Sequence, residues 1–237
     1  MLDTILFDLD GTLLPMDMDE FIRIYFGEIG KALQDLTEPD KLITYVWEGT
    51  KAMINNDGNK TNKQVFMEAF GQLIHGDLAV YEQRFDMFYD DGFLNIREYV
   101  EPHPGVKDFI AELRKKGYSL VIATNPLFPR KAVLHRIEWA ELNLDDFDYI
   151  SCYEDNTYCK PKVEFYQEVI NKVMKNPDQC MMVGNDVQED LIASKLGIQT
   201  YLVTDHMLNR YDNPIKSDHQ GNYKDFAKFV EELPDLG

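Results

Sequence analysis

The sequence predicts an α/β protein: a Rossmann-like, doubly wound parallel sheet whose first strand is followed by an inserted helical segment. Three observations carry this prediction. Short apolar runs of the kind that form buried parallel strands recur along the chain. From about Val106 onward they alternate with segments of helical periodicity, the rhythm of an open parallel sheet. Between Leu14 and Val100 that rhythm stops for roughly 85 residues, far more than a strand–helix connection needs, so this stretch must fold in its own right.

The first predicted strand is Ile5-Leu6-Phe7. In the insert, Phe21, Ile24, Tyr25 and Ile29 recur at helical spacing, as do Leu42, Tyr45, Val46 and Met53. Val65, Phe66, Ala69, Phe70 and Leu73 mark a third helix, and Tyr81, Phe85 and Phe88 a fourth. Asn55 to Thr61 reads as a polar turn between two of them. The aromatic residues here, Trp47 included, read as bundle core, and Arg23, Lys51 and Arg84 as solvated helix charges. Pro104-Gly105 opens the next helix, with Val106, Phe109, Ile110 and Leu113 on one face and Gly117 placed to end it. His103, just before it, reads as a hinge or surface residue. Strand Leu120 to Ala123 follows, and Pro129 opens a helix containing Val133, Leu134 and Ile137. Val163, Phe165, Tyr166, Val169, Ile170 and Val173 mark another helix, and Met181-Met182-Val183 a strand. A last predicted helix carries Leu191, Ile192 and Leu196 and is closed by Gly197, ahead of strand Tyr201-Leu202-Val203. The resulting division is a core of residues 1–14 and 100–237 and an insert of residues 15–99.

The 237 residues carry a formal net charge of −18. That field repels nucleic acid and anionic membrane, which sets both aside as partners. It also repels a phosphate ester, so an anionic substrate needs a metal ion or a local cluster of positive groups. Cys152, Cys159 and Cys180 form no CxxC pair and no disulfide framework, which fits reduced thiols and a cytoplasmic protein. The N-terminus lacks the basic start of a signal peptide, and no apolar run approaches the roughly 20 residues that span a bilayer.

Four local patterns carry chemistry, in order, at successive strand ends. Asp8-Leu9-Asp10-Gly11-Thr12 directly follows the first strand, where open α/β sheets bind ligands. Strand alternation points Asp8 and Asp10 to one side, and close carboxylates raise a pKa or recruit a cation. Thr124-Asn125 ends the second strand, where a hydroxyl and free amides can cradle phosphate oxygens. Lys160-Pro161 precedes the Phe165 to Val173 helix. Val183-Gly184-Asn185-Asp186, continuing to Glu189-Asp190, follows a further strand with hard oxygen ligands that suit Mg²⁺. Each alone has an ordinary reading: a polar turn, a strand-end Thr, a surface lysine, or acidic residues at a helix start.

Together they resemble the haloacid dehalogenase-like (HAD) hydrolase superfamily. Asp8 to Thr12 matches its DxDGT first motif, Thr124 the second, Lys160 the third and Gly184 to Asp190 the acidic fourth. The resemblance spans nearly the whole chain, and the insert is similar to a helical C1 cap domain. It implies a small-molecule phosphate monoester as substrate, Asp8 as nucleophile forming an aspartyl-phosphate, and Asp10 as acid and base. It also implies Mg²⁺ held by Asp8, the Asp10 carbonyl and Asp186, and phosphate held by Leu9, Thr124, Asn125 and Lys160. The fourth motif departs from the family's Gly-Asp: Asn185 stands there. Asp186 is expected as ligand, with Asp190 as second ligand or orienter, and the Asn185 amide oxygen as the alternative. A phosphomutase of the β-phosphoglucomutase type shares these motifs. A receiver module or a non-catalytic binding protein is the reading from another class.

Overall fold

The computed structural model describes residues 1–237. Six parallel strands lie in the order β3-β2-β1-β4-β5-β6. They are β1 (Thr4–Phe7), β2 (Ser119–Ile122), β3 (Tyr149–Ile150), β4 (Cys180–Gly184), β5 (Gln199–Val203) and β6 (His219–Gly221). The chain runs outward from β1 to β3, then crosses back to place β4 on the other side of β1. The boundary between β1 and β4 is therefore the point where strand order reverses, and crevices form there at the carboxyl ends of the strands. Register aligns those ends: Phe7 lies opposite Ile122 on one side and Val183 on the other.

Strand alternation sorts the sheet residues onto two faces. Ile5, Phe7, Leu120, Ile122, Met181 and Val183 join the larger apolar cluster, while Leu6, Val121, Ala123, Cys180 and Met182 join a smaller one. The smaller face is covered by helix α7 (Val163–Lys172) through Phe165, Tyr166, Val169 and Ile170. The larger face carries α5 (Pro104–Lys115) and, packed beside it, the C-terminal α8 (Tyr223–Glu232).

Between β1 and α5 the insert forms α1 (Met18–Leu33), α2 (Pro39–Ile54), α3 (Asn62–Gly71) and α4 (Leu78–Asp90), then a 3₁₀ segment, Gly92–Tyr99. Three of their starts are capped by side chains: Asp17 and Asp77 accept from backbone N–H groups, and Thr61 with Gln64 forms a reciprocal capping box, while α2 opens on Pro39 without one. The remaining helix, α6 (Arg130–Trp139), begins after Pro129. No helix is long and apolar enough to cross a membrane.

Two expectations are corrected. Leu191–Leu196 is one short 3₁₀ segment, not an α-helix, although Gly197 ends it with φ of 88° as expected. Trp47 is not bundle core but 40% exposed, and it lines a cavity. His103 is an exposed surface residue, as expected; its Nδ1 accepts from the Gly105 N–H at 3.2 Å, and its ring stacks on Tyr223 at 4.5 Å.

Candidate active site

Asp8 follows β1 directly, and its N–H still donates to the Val183 carbonyl of β4 at 2.9 Å. That bond anchors the carboxylate beside the β4 end. Lys160, with its side chain fully buried, donates to Asp8 Oδ1 at 2.8 Å and to Asp190 Oδ1 at 2.6 Å. Burial alone disfavours the ammonium, but Asp190 and Asp8 outweigh it and hold Lys160 charged well above its ordinary range. Burial drives Asp8 the other way: desolvation lifts its carboxyl far above the carboxylate range, opposed by Lys160 and reinforced by Asp190 and Asp10. Negative charge at this spot thus exceeds what the one lysine balances.

After Asp8 the chain turns sharply. Gly11 has φ of 81°, and the Leu9 carbonyl accepts from the N–H groups of Thr12, Leu13 and Leu14. A side chain at Gly11 would overlap the Asn185 amide. Asn185 is oriented by its own bonds: Nδ2 donates to the His206 carbonyl at 2.6 Å, so Oδ1 faces the Thr12 hydroxyl at 3.1 Å. The same hydroxyl lies 3.5 Å from Asp8 Oδ2. Asp186 is tied up elsewhere. Its Oδ1 accepts from the N–H groups of Gln188 and Glu189, both at 2.9 Å, and its Oδ2 pairs with Arg210. Asp190 spends Oδ1 on Lys160 and Oδ2 on the Asp186 N–H at 2.9 Å.

Thr124 is buried at the end of β2. Asn125 links three loops, its Oδ1 accepting from the Lys160 N–H at 3.2 Å and its Nδ2 donating to Glu189 at 3.1 Å. No acceptor in the protein takes the N–H of Leu9 or of Asn125. Leu9 is buried and Asn125 half-buried, and amides so placed are rarely left without an acceptor. Two free N–H groups beside a lysine make a cradle for oxyanion oxygens.

Asp10 has a partner that sequence reasoning missed. Arg136, 1% exposed in α6, pairs with Asp10 Oδ2, while its Nε donates to the Ala132 carbonyl one turn back at 3.1 Å. Its guanidinium sits 4.6 Å over the Phe128 ring. Asp10 Oδ1 and Arg136 Nη2 remain without partners. Arg136 falls on a helix of mixed polarity, and its charge at a buried position of a weakly amphipathic segment was the available signal. Arg210, from the loop after β5, was likewise missed.

Asp8, Asp10, Thr124, Asn125, Asn185, Asp186 and Asp190 line one cavity of about 250 Å³. Its opposite wall comes from the insert. Arg23, Lys51 and Arg84 do not reach it; they pair on the surface with Glu20, Glu48 and Asp35.

The model of the haloacid dehalogenase-like hydrolase family matches residues 2–205. Pyrophosphatase PpaX of Oceanobacillus iheyensis is 25% identical over 200 residues, covering 84% of this chain and 82% of that protein. A phosphoglycolate phosphatase of Mesorhizobium japonicum is 28% identical over 193 residues, covering 81% and 77%. The crystal structure of a HAD phosphatase from Thermococcus onnurineus has the same fold, with a TM-score of 0.62 at 18% identity over 99% of this chain and 100% of that one. With the family matched across most of its length, the chain belongs to the haloacid dehalogenase-like hydrolases.

Proposed function

We propose that the chain is a Mg²⁺-dependent phosphatase that hydrolyses small-molecule phosphate monoesters through an aspartyl-phosphate on Asp8. The observation that carries this reading is the buried Asp8, shared lysine and two free amides, all at the strand-order reversal. The phosphatase names of the relatives support it. In this reading residues 15–99 are a cap, and residues 1–14 with 100–237 are the catalytic core of a cytoplasmic enzyme. The three buried free thiols fit that compartment.

An Asp8 oxygen attacks phosphorus and the bond to the leaving oxygen breaks, while Asp10 gives that oxygen a proton. Water then attacks phosphorus, Asp10 takes its proton, and inorganic phosphate leaves with the Asp8 carboxylate restored. Arg136 fixes one Asp10 oxygen, which leaves the unpartnered Oδ1 to carry the proton. Lys160, Thr124 and the N–H groups of Leu9 and Asn125 hold the phosphoryl oxygens.

The residues fit a hard cation. Asp8 is raised by burial and by neighbouring carboxylates, and no backbone N–H takes the Asp10 carbonyl. Asp8, that carbonyl and Asn185 Oδ1 would hold Mg²⁺, whose charge would offset that of the phosphoryl group and the carboxylates. Asn185 is preferred to the expected Asp186 because the Asp186 oxygens are held by two backbone N–H groups and the Arg210 guanidinium, whereas Asn185 Oδ1 takes only the Thr12 hydroxyl. The same reasoning makes Asp190 an orienter of Lys160 rather than a ligand.

Phosphate release from p-nitrophenyl phosphate tests the proposal. It should require Mg²⁺ and disappear in Asp8→Asn; release that survives in that variant would sink the mechanism.

A further inference from the structure

The cavity that holds Asp8 is two-sided in character. Its floor is polar and acidic, with Asp8, Asp10, Asp186, Glu189 and Asp190 all on its surface. Its wall from the insert and the loop after β2 is apolar, including Ile22, Phe26, Trp47, Phe66, Leu127 and Phe128. Phe26 and Trp47 form a ring pair with centroids 5.5 Å apart, and Trp47 leaves 40% of its surface uncovered. The tyrosine hydroxyls of Tyr25 and Tyr89 bind each other at 2.9 Å. Arg210 is the one cation on the wall, and its charge is already matched by Asp186, with Glu189 4.0 Å away.

A second anionic group on the substrate would therefore meet carboxylates on one side and hydrocarbon on the other, with no unpaired cation to receive it. Burying such a charge is costly, whereas burying a ring against this wall is favourable. The volume, about 250 Å³, suits a compact body: an apolar cavity of about 150 Å³ accepts benzene.

Resting on the phosphatase reading above, we infer that the substrate is the phosphate monoester of an uncharged, largely apolar alcohol of one-ring size, seated against Phe26 and Trp47. A carboxylate- or phosphate-bearing leaving group is disfavoured.

Two pairs of compounds test this. Benzylphosphonate and phosphonoacetate, which cannot be hydrolysed, are titrated calorimetrically into the full chain with Mg²⁺; benzyl phosphate and phosphoglycolate, whose leaving oxygens are of similar basicity, are assayed for phosphate release. Benzylphosphonate should bind at least about tenfold more tightly than phosphonoacetate, and kcat/KM should favour benzyl phosphate by a similar factor. Trp47→Ala should remove most of that preference, raising KM for benzyl phosphate more than it lowers kcat, and Trp47→Phe should restore much of it. Equal or tighter binding of phosphonoacetate, binding of neither ligand, or a preference unchanged in Trp47→Ala would overturn the inference, and release from phosphoglycolate would still uphold the phosphatase reading. Preferential binding of benzylphosphonate with no release from either ester would instead uphold the substrate class and defeat the phosphatase reading.

Discussion

Two cations and three carboxylates are interleaved around the proposed nucleophile: Lys160 between Asp8 and Asp190, and Arg136 against Asp10. The Arg136–Asp10 pair is almost wholly buried, so removing one partner leaves a charge without compensation. Arg136→Leu should lower stability by about 3–5 kcal/mol, read as a shift in the urea midpoint. An unchanged midpoint would mean the pair contributes nothing. For the metal, Asn185→Asp should lower the activating Mg²⁺ concentration, because it adds a charge where Oδ1 faces the Thr12 hydroxyl, itself 3.5 Å from Asp8 Oδ2. Asp186→Asn should move that concentration much less, and the reverse ranking would return Asp186 to the ligand set expected from sequence. The DxDGT motif made Asp8 and Asp10 legible from sequence. The orientation of Asn185 was not, since it depends on a carbonyl at His206, 21 residues away in the chain.

At the scale of single elements, close approach matters more than propensity. Gly184 ends β4 where an added Cβ would overlap the Asp190 carboxylate. Gly184→Ala should therefore displace Asp190 from Lys160 and cut kcat by at least about tenfold while the fold survives by circular dichroism. Full activity would show that Asp190 need not sit where it does. The buried strands and amphipathic helices were readable because each carries its apolar stripe in contiguous residues. β3 is two residues long and β6 is the exposed edge strand His219–Gly221, so neither has a run long enough to register. α8 was passed over although Tyr223, Phe226 and Val230 recur at helical spacing on its buried face. Lys116 caps its end by donating to the carbonyls of Val230, Glu231 and Leu233 at 3.0, 2.7 and 2.6 Å, a contact no local pattern announces.

Across the whole molecule, insert and sheet share one apolar cluster: Phe21, Tyr25, Phe70 and Phe93 belong to the same 49-residue set as Phe7, Ile122 and Val183. Such continuity favours all-or-none unfolding. Far-ultraviolet circular dichroism and tryptophan fluorescence should follow one thermal transition. Trp139 lies in this cluster and Trp47 stands against Phe26 at its edge, so two resolved transitions would mean that insert and core unfold independently. The formal charge of −18 extends to the site itself, where Asp8, Asp10 and Asp190 outnumber the buried Lys160 and Arg136, and the lysine with the free amides supplies only a local set of donors.

The α/β class, the helical insert and the order of Asp8, Thr124, Lys160 and the Gly184–Asp190 stretch are written in short windows of the chain, because strand runs, helical spacing and strand-end motifs are local properties. Tertiary structure alone decided which atoms face one another. Strand order brought β4 beside β1, side-chain bonding occupied both Asp186 oxygens and oriented Asn185, and chain folding laid Trp47 and Phe26 in one cavity with Asp8. Those choices join residues far apart in the chain, and each depends on packing and hydrogen-bond competition that no short window of sequence contains.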